Sequence, residues 1–434
     1  MREMKDSGVA WIGEIPKDWK IRKISSVVPI ITDYVASGSF ADLRENVTYL
    51  NEPDYAMLVR TADLSGTRDN TVYINKHAYD FLSNSNLFGG EVILSNIGSV
   101  GNVFQYFPMY ERASLAPNAI MLNGSKCNRY IYYWFLCPIT NEELKRIGSS
   151  SVQLKFNKTQ LKQMPIIYPP IETQHQIAAY LDQKCTQIDA LITNQQKQIE
   201  KLKAYKQSLI TETVTKGLNP DVPMKDSGVE WIGEIPEDWE IVRIKNICQF
   251  NPSSKKSFSD DDIVSYAPME CVRTGSLVHK EIAIKNVSSG LTYFEENDII
   301  MAKVTPFFEN GNIAIATGLT KGMAFGSSEL FVFRANESIK FFLFYFLQNN
   351  IFKKFSISTM TGTGGLKRVS SNFVNNYSFA LPPIEERNKI VFYLDKKCTQ
   401  IDSLIAIKQR KIEKLQQYKK SVIYEYVTGK KEVK

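Results

Sequence analysis

Two stretches of the chain place apolar residues at alternating intervals of three and four, and both keep the same phase. The first runs Cys185, Ile188, Ile192, Gln195, Ile199, Leu202, Lys206 and Leu209; the second runs Cys398, Ile401, Ile405, Lys408, Ile412, Leu415, Lys419 and Val422. This is the heptad stripe of a coiled coil, apolar except at Gln195/Lys408 and Lys206/Lys419. Each stretch follows a Pro-Pro pair (Pro169-Pro170, Pro382-Pro383), which suits a helix start, and meets no further Pro or Gly before Gly217 or Gly429. Roughly 40 residues at about 1.5 Å each predict helices on the order of 60 Å long. Neither can hide its stripe alone, so pairing one with the other, antiparallel within the chain, is the economical solution. That pairing would relate the halves of the chain by an approximate two-fold axis. The polar seam positions either fix the register or stand solvated. Ala190–Leu191 and Ser403–Leu404 widen the stripe and offer surface to a partner, while Cys185 and Cys398 read as buried packing residues.

Outside these helices the pattern changes to β-branched runs and alternation. Strands are predicted at Glu91–Leu94, Asn118–Leu122, Asp298–Ala302, Ile313–Ala316 and Glu329–Phe333, with helices near Arg129–Cys137 and Ile339–Phe352. The fold class is therefore mixed α+β: two strand-rich domains joined by two long antiparallel helices. The predicted division is 1–168 for the first strand-rich domain, 169–217 for the central helix, 218–381 for the second domain and 382–434 for the closing helix.

The chain is also written twice. Residues 4–24 and 224–244 share 16 of 21 positions at an offset of 220. The helix blocks opening at Pro169 and Pro382 repeat at an offset of 213, so the first intervening segment, 25–168, is seven residues longer than the second, 245–381. These two segments share little identity. A fixed frame presenting two independent reading heads has this form; so does a plain duplication whose middles drifted.

Composition narrows the class. With 43% hydrophobic and 23% charged residues the chain is globular. Of the net charge of +7, residues 385–434 carry +6, from 13 Lys/Arg against 7 Asp/Glu, so a nucleic-acid surface elsewhere must be a local cluster. Six cysteines without CxxC spacing and three histidines argue against a metal site, and none is expected. The N-terminal residues lack the apolar core of a signal peptide, and no apolar run approaches the roughly 20 residues that span a bilayer; a cytoplasmic protein is expected, with no membrane contact. No catalytic residue is assigned. Gly362-Thr-Gly-Gly-Leu-Lys367 lacks the spacing and hydroxyl of a P-loop, and neither Tyr168-Pro-Pro-Ile171 nor Leu381-Pro-Pro-Ile384 has the amide and aromatic of an amino-methyltransferase motif. No cofactor is expected on this chain.

The candidate contact surfaces are loops. Gly148–Lys155 and Thr361–Arg368 are rich in Gly and Ser or Thr, carry basic residues, and fall at nearly the same distance before the Pro-Pro pairs. Such loops bring backbone N–H groups and a cation to a phosphate or base edge; tight connectors look the same. The strand-to-loop stretches Ser95–Asn102 and Ala302–Asn312 are the second pair. Together they nominate Ser95, Asn96, Ser99, Asn102, Lys155 and Lys158 in the first half, and Lys303, Asn310, Asn312, Thr361, Thr363, Lys367 and Arg368 in the second.

Several of these motifs, taken together, resemble those of type I restriction–modification specificity subunits over nearly the whole chain. The carriers are the W-I-G-E-I-P-x-x-W openings at Trp11 and Trp231, the P-P-I-E…L-D…I-D helix openings, Asp298–Pro306 running into Phe308–Gly311, Phe325–Glu329 and Met360–Val369. The resemblance implies two target-recognition domains, each reading half of a split double-stranded DNA site across an unread spacer set by the helices. It implies two modification subunits, which bring S-adenosylmethionine and the methylating site, and restriction subunits that use ATP and Mg. The competing readings are an enzyme complete in one chain, which the missing motifs oppose, and a coiled-coil adaptor that reads no DNA.

Overall fold

The computed structural model describes residues 2–67, 70–148, 154–254 and 259–433. It divides into two compact units. The first comprises Met1–Gln195 with Arg410–Lys434, and the second Gln196–Gln409. Each unit therefore contains one strand-rich domain, the first half of one long helix and the second half of the other.

The central helix spans Ile171–Lys216 and the closing helix Ile384–Val427. Both stop at a glycine in the left-handed region, Gly217 (φ 82°) and Gly429 (φ 74°), where a side chain would be strained. Inside the first unit, Tyr180 packs against Tyr426 with ring centroids 4.3 Å apart and planes tilted by 38°, and Lys419 Nζ lies 2.7 Å from Asp189. Inside the second, Lys408 donates to Gln198 and Lys206 Nζ lies 2.7 Å from Asp402. In both units one residue number rises as its partner's falls, so the helices pair antiparallel. Cys185, Ile188, Gln195, Ile199, Leu209, Cys398, Ile401, Ile412 and Val422 are buried, and Ile192, Leu202, Ile405 and Leu415 are half-buried. Truncating a fully buried seam isoleucine to alanine costs about 2–5 kcal/mol in such a setting. Ala190, Leu191, Ser403 and Leu404, which widen the stripe, flank the seam and are all exposed, Leu191 and Leu404 each at 47%.

The two strand-rich domains share one plan despite their divergent sequences. In the first, an antiparallel sheet runs in the order Ile30–Asp33, Ala119–Asn123, Val92–Ser95, Val103–Gln105; in the second the order is Cys248–Phe250, Leu330–Ala335, Ile299–Ala302, Ile313–Ile315. A second sheet in each domain contains one parallel pair, Ala113–Leu115 on Ala56–Val59 and Met323–Gly326 on Ile263–Ala267. Central strands such as Val92–Ser95 and Ile299–Ala302 are buried on both faces, which is why they read as apolar runs rather than alternations. The second domain adds a small hairpin, Val272–Arg273 with Ser276–Leu277. Where the sequence predicted one helix near 339–352, there are two, Glu337–Phe346 and Asn350–Ser358, with Asn349 capping the latter.

The segments between the repeated blocks enter and leave their domains side by side. Lys20–Lys23 pairs antiparallel with Pro165–Tyr168, so Lys23 faces Pro165; Glu240–Arg243 pairs likewise with Ser378–Leu381. The repeated openings pack beneath, with Ile15 and Trp19 buried in one core and Ile235 and Trp239 in the other.

Candidate nucleic-acid interface

The two loop pairs that sequence nominated are stitched together in each unit, at the same place in the topology. In the first unit the chain leaves strand Val92–Ser95 into residues 96–102. Phe156 N–H donates to the Asn96 carbonyl (3.2 Å), Gly98 N–H to that of Leu154 (3.2 Å), and Asn96 Nδ2 to that of Phe156 (3.3 Å). In the second unit the equivalent strand Ile299–Ala302 runs into residues 303–312. Val369 N–H donates to the Lys303 carbonyl (2.9 Å) and Thr305 N–H to that of Lys367 (2.9 Å); the Thr305 hydroxyl donates to Gly365 (2.7 Å). Asn96 thus corresponds to Lys303, Phe156 to Val369 and Lys155 to Arg368. A short helix follows in both, Lys158–Gln163 or Ser371–Asn376, each N-capped by the residue before it, Asn157 or Ser370.

The nominated side chains fall into distinct settings. Ser99, Asn102, Lys155, Asn310, Thr361, Thr363, Lys367 and Arg368 are exposed. Lys303 is half-buried, its ammonium 5.9 Å from the centre of the Phe331 ring. Lys158 is turned inward, 2.7 Å from Asp33. Arg368 is held by Glu329 through Nε and Nη2 at 2.7–3.0 Å. Ser95, Asn96 and Asn312 are buried: Ser95 N–H donates to the Asn102 carbonyl (3.0 Å), and Asn312 Nδ2 donates to that of Val272 (2.8 Å). These three shape the loops from within. Among the described residues Lys155, Lys303 and Lys367 make no ion pair, so their charges remain available at the surface. Part of the first glycine–serine loop, residues 149–153, lies outside the described residues.

Sequence reasoning missed the ties between each domain and its helices. The Tyr133 hydroxyl donates to Asp182 (2.7 Å) and the Tyr345 hydroxyl to Asp395 (2.5 Å). Burial, then the bond to the carboxylate, pushes both phenols well above the usual tyrosine range. The aspartates do repeat at the offset of 213; the tyrosines lie where the two halves no longer align by eye. Among the described residues no group of three or more His, Cys, Asp or Glu is placed to hold a metal ion, and no helix is long and apolar enough to cross a membrane.

With the geometry in place, comparison with known proteins identifies the family. The model of the type I restriction modification DNA specificity domain matches twice, over residues 16–201 and 236–417, and the chain belongs to that family. A Methanocaldococcus jannaschii protein described as a type I restriction enzyme specificity subunit, MjaX, is 26% identical over 98% of this chain and 96% of its own length. A second from the same organism, MjaVIII, is 28% identical over 70% of this chain and 71% of its own. Among solved structures, a chain from a type I R-M system study superposes with a TM-score of 0.68 at 12% identity, covering 96% of this chain and 99% of that one; this likeness concerns the fold.

Proposed function

We infer that this chain is the DNA-specificity subunit of a type I restriction–modification enzyme, and that each strand-rich domain reads one half of a bipartite double-stranded site. The observation that carries the reading is the paired loop surface. Both domains present it at the same topological position, built on different residues, as two readers of different half-sites require. Lys155 in one unit and Lys303 and Lys367 in the other supply phosphate contacts; the exposed Asn102, Asn310, Thr361 and Thr363 meet base edges or backbone. The chain has no catalytic role of its own. Two modification subunits bring S-adenosylmethionine and the adenine-methylating site, and restriction subunits supply the ATP- and Mg-dependent cleavage.

Methylated adenines mapped genome-wide in cells with and without the gene test this. A split motif modified only when the gene is present is the expected result. An unchanged methylation map, with the modification genes intact and expressed, would overturn the reading.

A further inference from the structure

The two units place the same helix against the same aspartate, yet one of them leaves a cleft. Helices Asn128–Leu136 and Glu337–Phe346 correspond position by position: Tyr130 and Phe342, Ile131 and Leu343, and Trp134 and Phe346 are all buried. Tyr132 meets Tyr133 at 5.2 Å and 69°, and Phe344 meets Tyr345 at 5.5 Å and 67°. Tyr133 and Tyr345 both donate to the helix aspartate, Asp182 or Asp395.

In the first unit Arg129 occupies the remaining space. Its Nε donates to Asp182 at 2.6 Å, its guanidinium carbon lies 4.5 Å from the Tyr132 ring centre and 5.1 Å from that of Tyr133, and Nη1 donates to Gln105. The corresponding residues of the second unit are Phe341 and Ile315. Neither can reach a carboxylate with a charge, and Phe341 is 41% exposed. What remains is a cleft of about 370 Å³ lined by Phe341, Phe344, Tyr345, Asp395, Ile315 and the Lys206–Asp402 pair. Lys206 is occupied by Asp402 at 2.7 Å, whereas Asp395 accepts only the Tyr345 hydroxyl among the described residues.

We propose that this cleft receives the side chain of an arginine from a protein partner, held on Asp395 and stacked on the Phe344 and Tyr345 rings as Arg129 is held in the first unit. A planar guanidinium satisfies both a carboxylate and a ring face, which a lysine ammonium does less well, and the uncompensated Asp395 carboxylate disfavours a phosphate there. Resting on the functional reading above, the partner is a modification subunit, so the two units present unlike surfaces to two copies of one protein.

Two arms test this on the full-length chain. In the first, the protein is labelled with ¹³C-phenylalanine and titrated with Nα-acetyl-arginine amide. The Phe341 and Phe344 resonances are expected to move, and Nα-acetyl-lysine amide is expected to move them much less. No movement with the arginine probe to about 50 mM, a free energy near 2 kcal/mol, overturns the cleft chemistry whatever the protein's function. In the second, modification subunits are titrated by calorimetry into the wild type, Phe341→Arg and Asp395→Asn. Phe341→Arg fills the cleft from within, and both variants are expected to bind one modification subunit about tenfold more weakly, the scale of one cation–π and carboxylate contact. Wild-type affinity in both variants overturns the assignment of the partner, as does a change in self-association produced by Phe341→Arg instead. Failure of the wild type to bind any modification subunit counts against the functional reading, while the first arm still decides the cleft.

Discussion

Arg368 grips Glu329 through Nε and Nη2, at 2.7–3.0 Å, across the base of the glycine-rich loop of the second domain. The most basic residue of that loop thus serves the loop first, and its neighbour Lys367 is left exposed without an ion pair among the described residues.

Lys367→Ala and Lys303→Ala are therefore expected to weaken DNA binding on every sequence and to reduce the slope of log K against log salt by about one unit each. Arg368→Ala should change the slope by much less and make the 361–368 loop easier to cleave with protease. Fluorescence anisotropy between 50 and 200 mM salt, with limited proteolysis, separates these cases. A full unit lost from the slope in Arg368→Ala alone would show that Glu329 releases it on DNA.

Asn312 is nominated by sequence as a DNA contact and is buried by the fold. Its Nδ2 is the partner of the Val272 carbonyl at 2.8 Å, and its own carbonyl accepts the Ala302 N–H at 3.0 Å. Asn312→Ala leaves a buried acceptor unmet and should cost about 1–3 kcal/mol, read as a lower urea midpoint. Unchanged stability with one relaxed target position would return Asn312 to the reading surface.

What the sequence makes visible divides along physical lines. The heptad stripe is a local pattern, so Cys185, Ile188 and Ile199 and their repeats Cys398, Ile401 and Ile412 could be picked out as seam residues, and Gly217 and Gly429 as stops. The strand-to-loop stretches at Ser95 and Ala302 were visible for the same reason. Partners far apart in the chain were not: nothing local ties Arg368 to Glu329, Lys158 to Asp33 or Tyr133 to Asp182. Nor does a local pattern tell Leu191, which flanks the seam, from Ile192, which enters it. The parallel pairing of Ala56–Val59 with Ala113–Leu115 depends on a crossover of more than fifty residues, for which periodicity carries no signal.

The helix stops should respond unequally to a methyl group. A Cβ at Gly429 would stand 2.4 Å from Pro16 Cγ and 2.9 Å from Trp19, both fixed in the core; at Gly217 it would meet the end of the Glu386 side chain at 2.7 Å. Both alanines suffer the left-handed backbone, about 1 kcal/mol. Gly429→Ala is expected to cost several times that and Gly217→Ala close to it, compared by urea denaturation. Equal costs would mean that Pro16 yields.

Burial pushes the Cys398 thiol up to about 11 from the ordinary 9. The folded state therefore holds its proton more tightly than the unfolded chain does. The stabilisation is complete below about pH 9 and is lost as pH rises towards 11. Relative to Cys398→Val, the wild type should keep a constant stability difference from pH 7 to 8.5 and lose ground between pH 9 and 10.5, in reducing buffer. Parallel curves across that window would mean that the thiol is open to solvent.

The decisive measurement exchanges one reader for another. The adjacent strands Lys20–Lys23 and Pro165–Tyr168 bring the ends of the first segment together, so residues 25–168, which include the second of these strands, can be exchanged as one block for the corresponding segment of another family member. Methylated adenines are then mapped by single-molecule sequencing in cells that also express the modification subunit. One half of the split motif should change while the other half stays as it was. A motif altered in both halves, or in neither, would contradict independent reading by two domains.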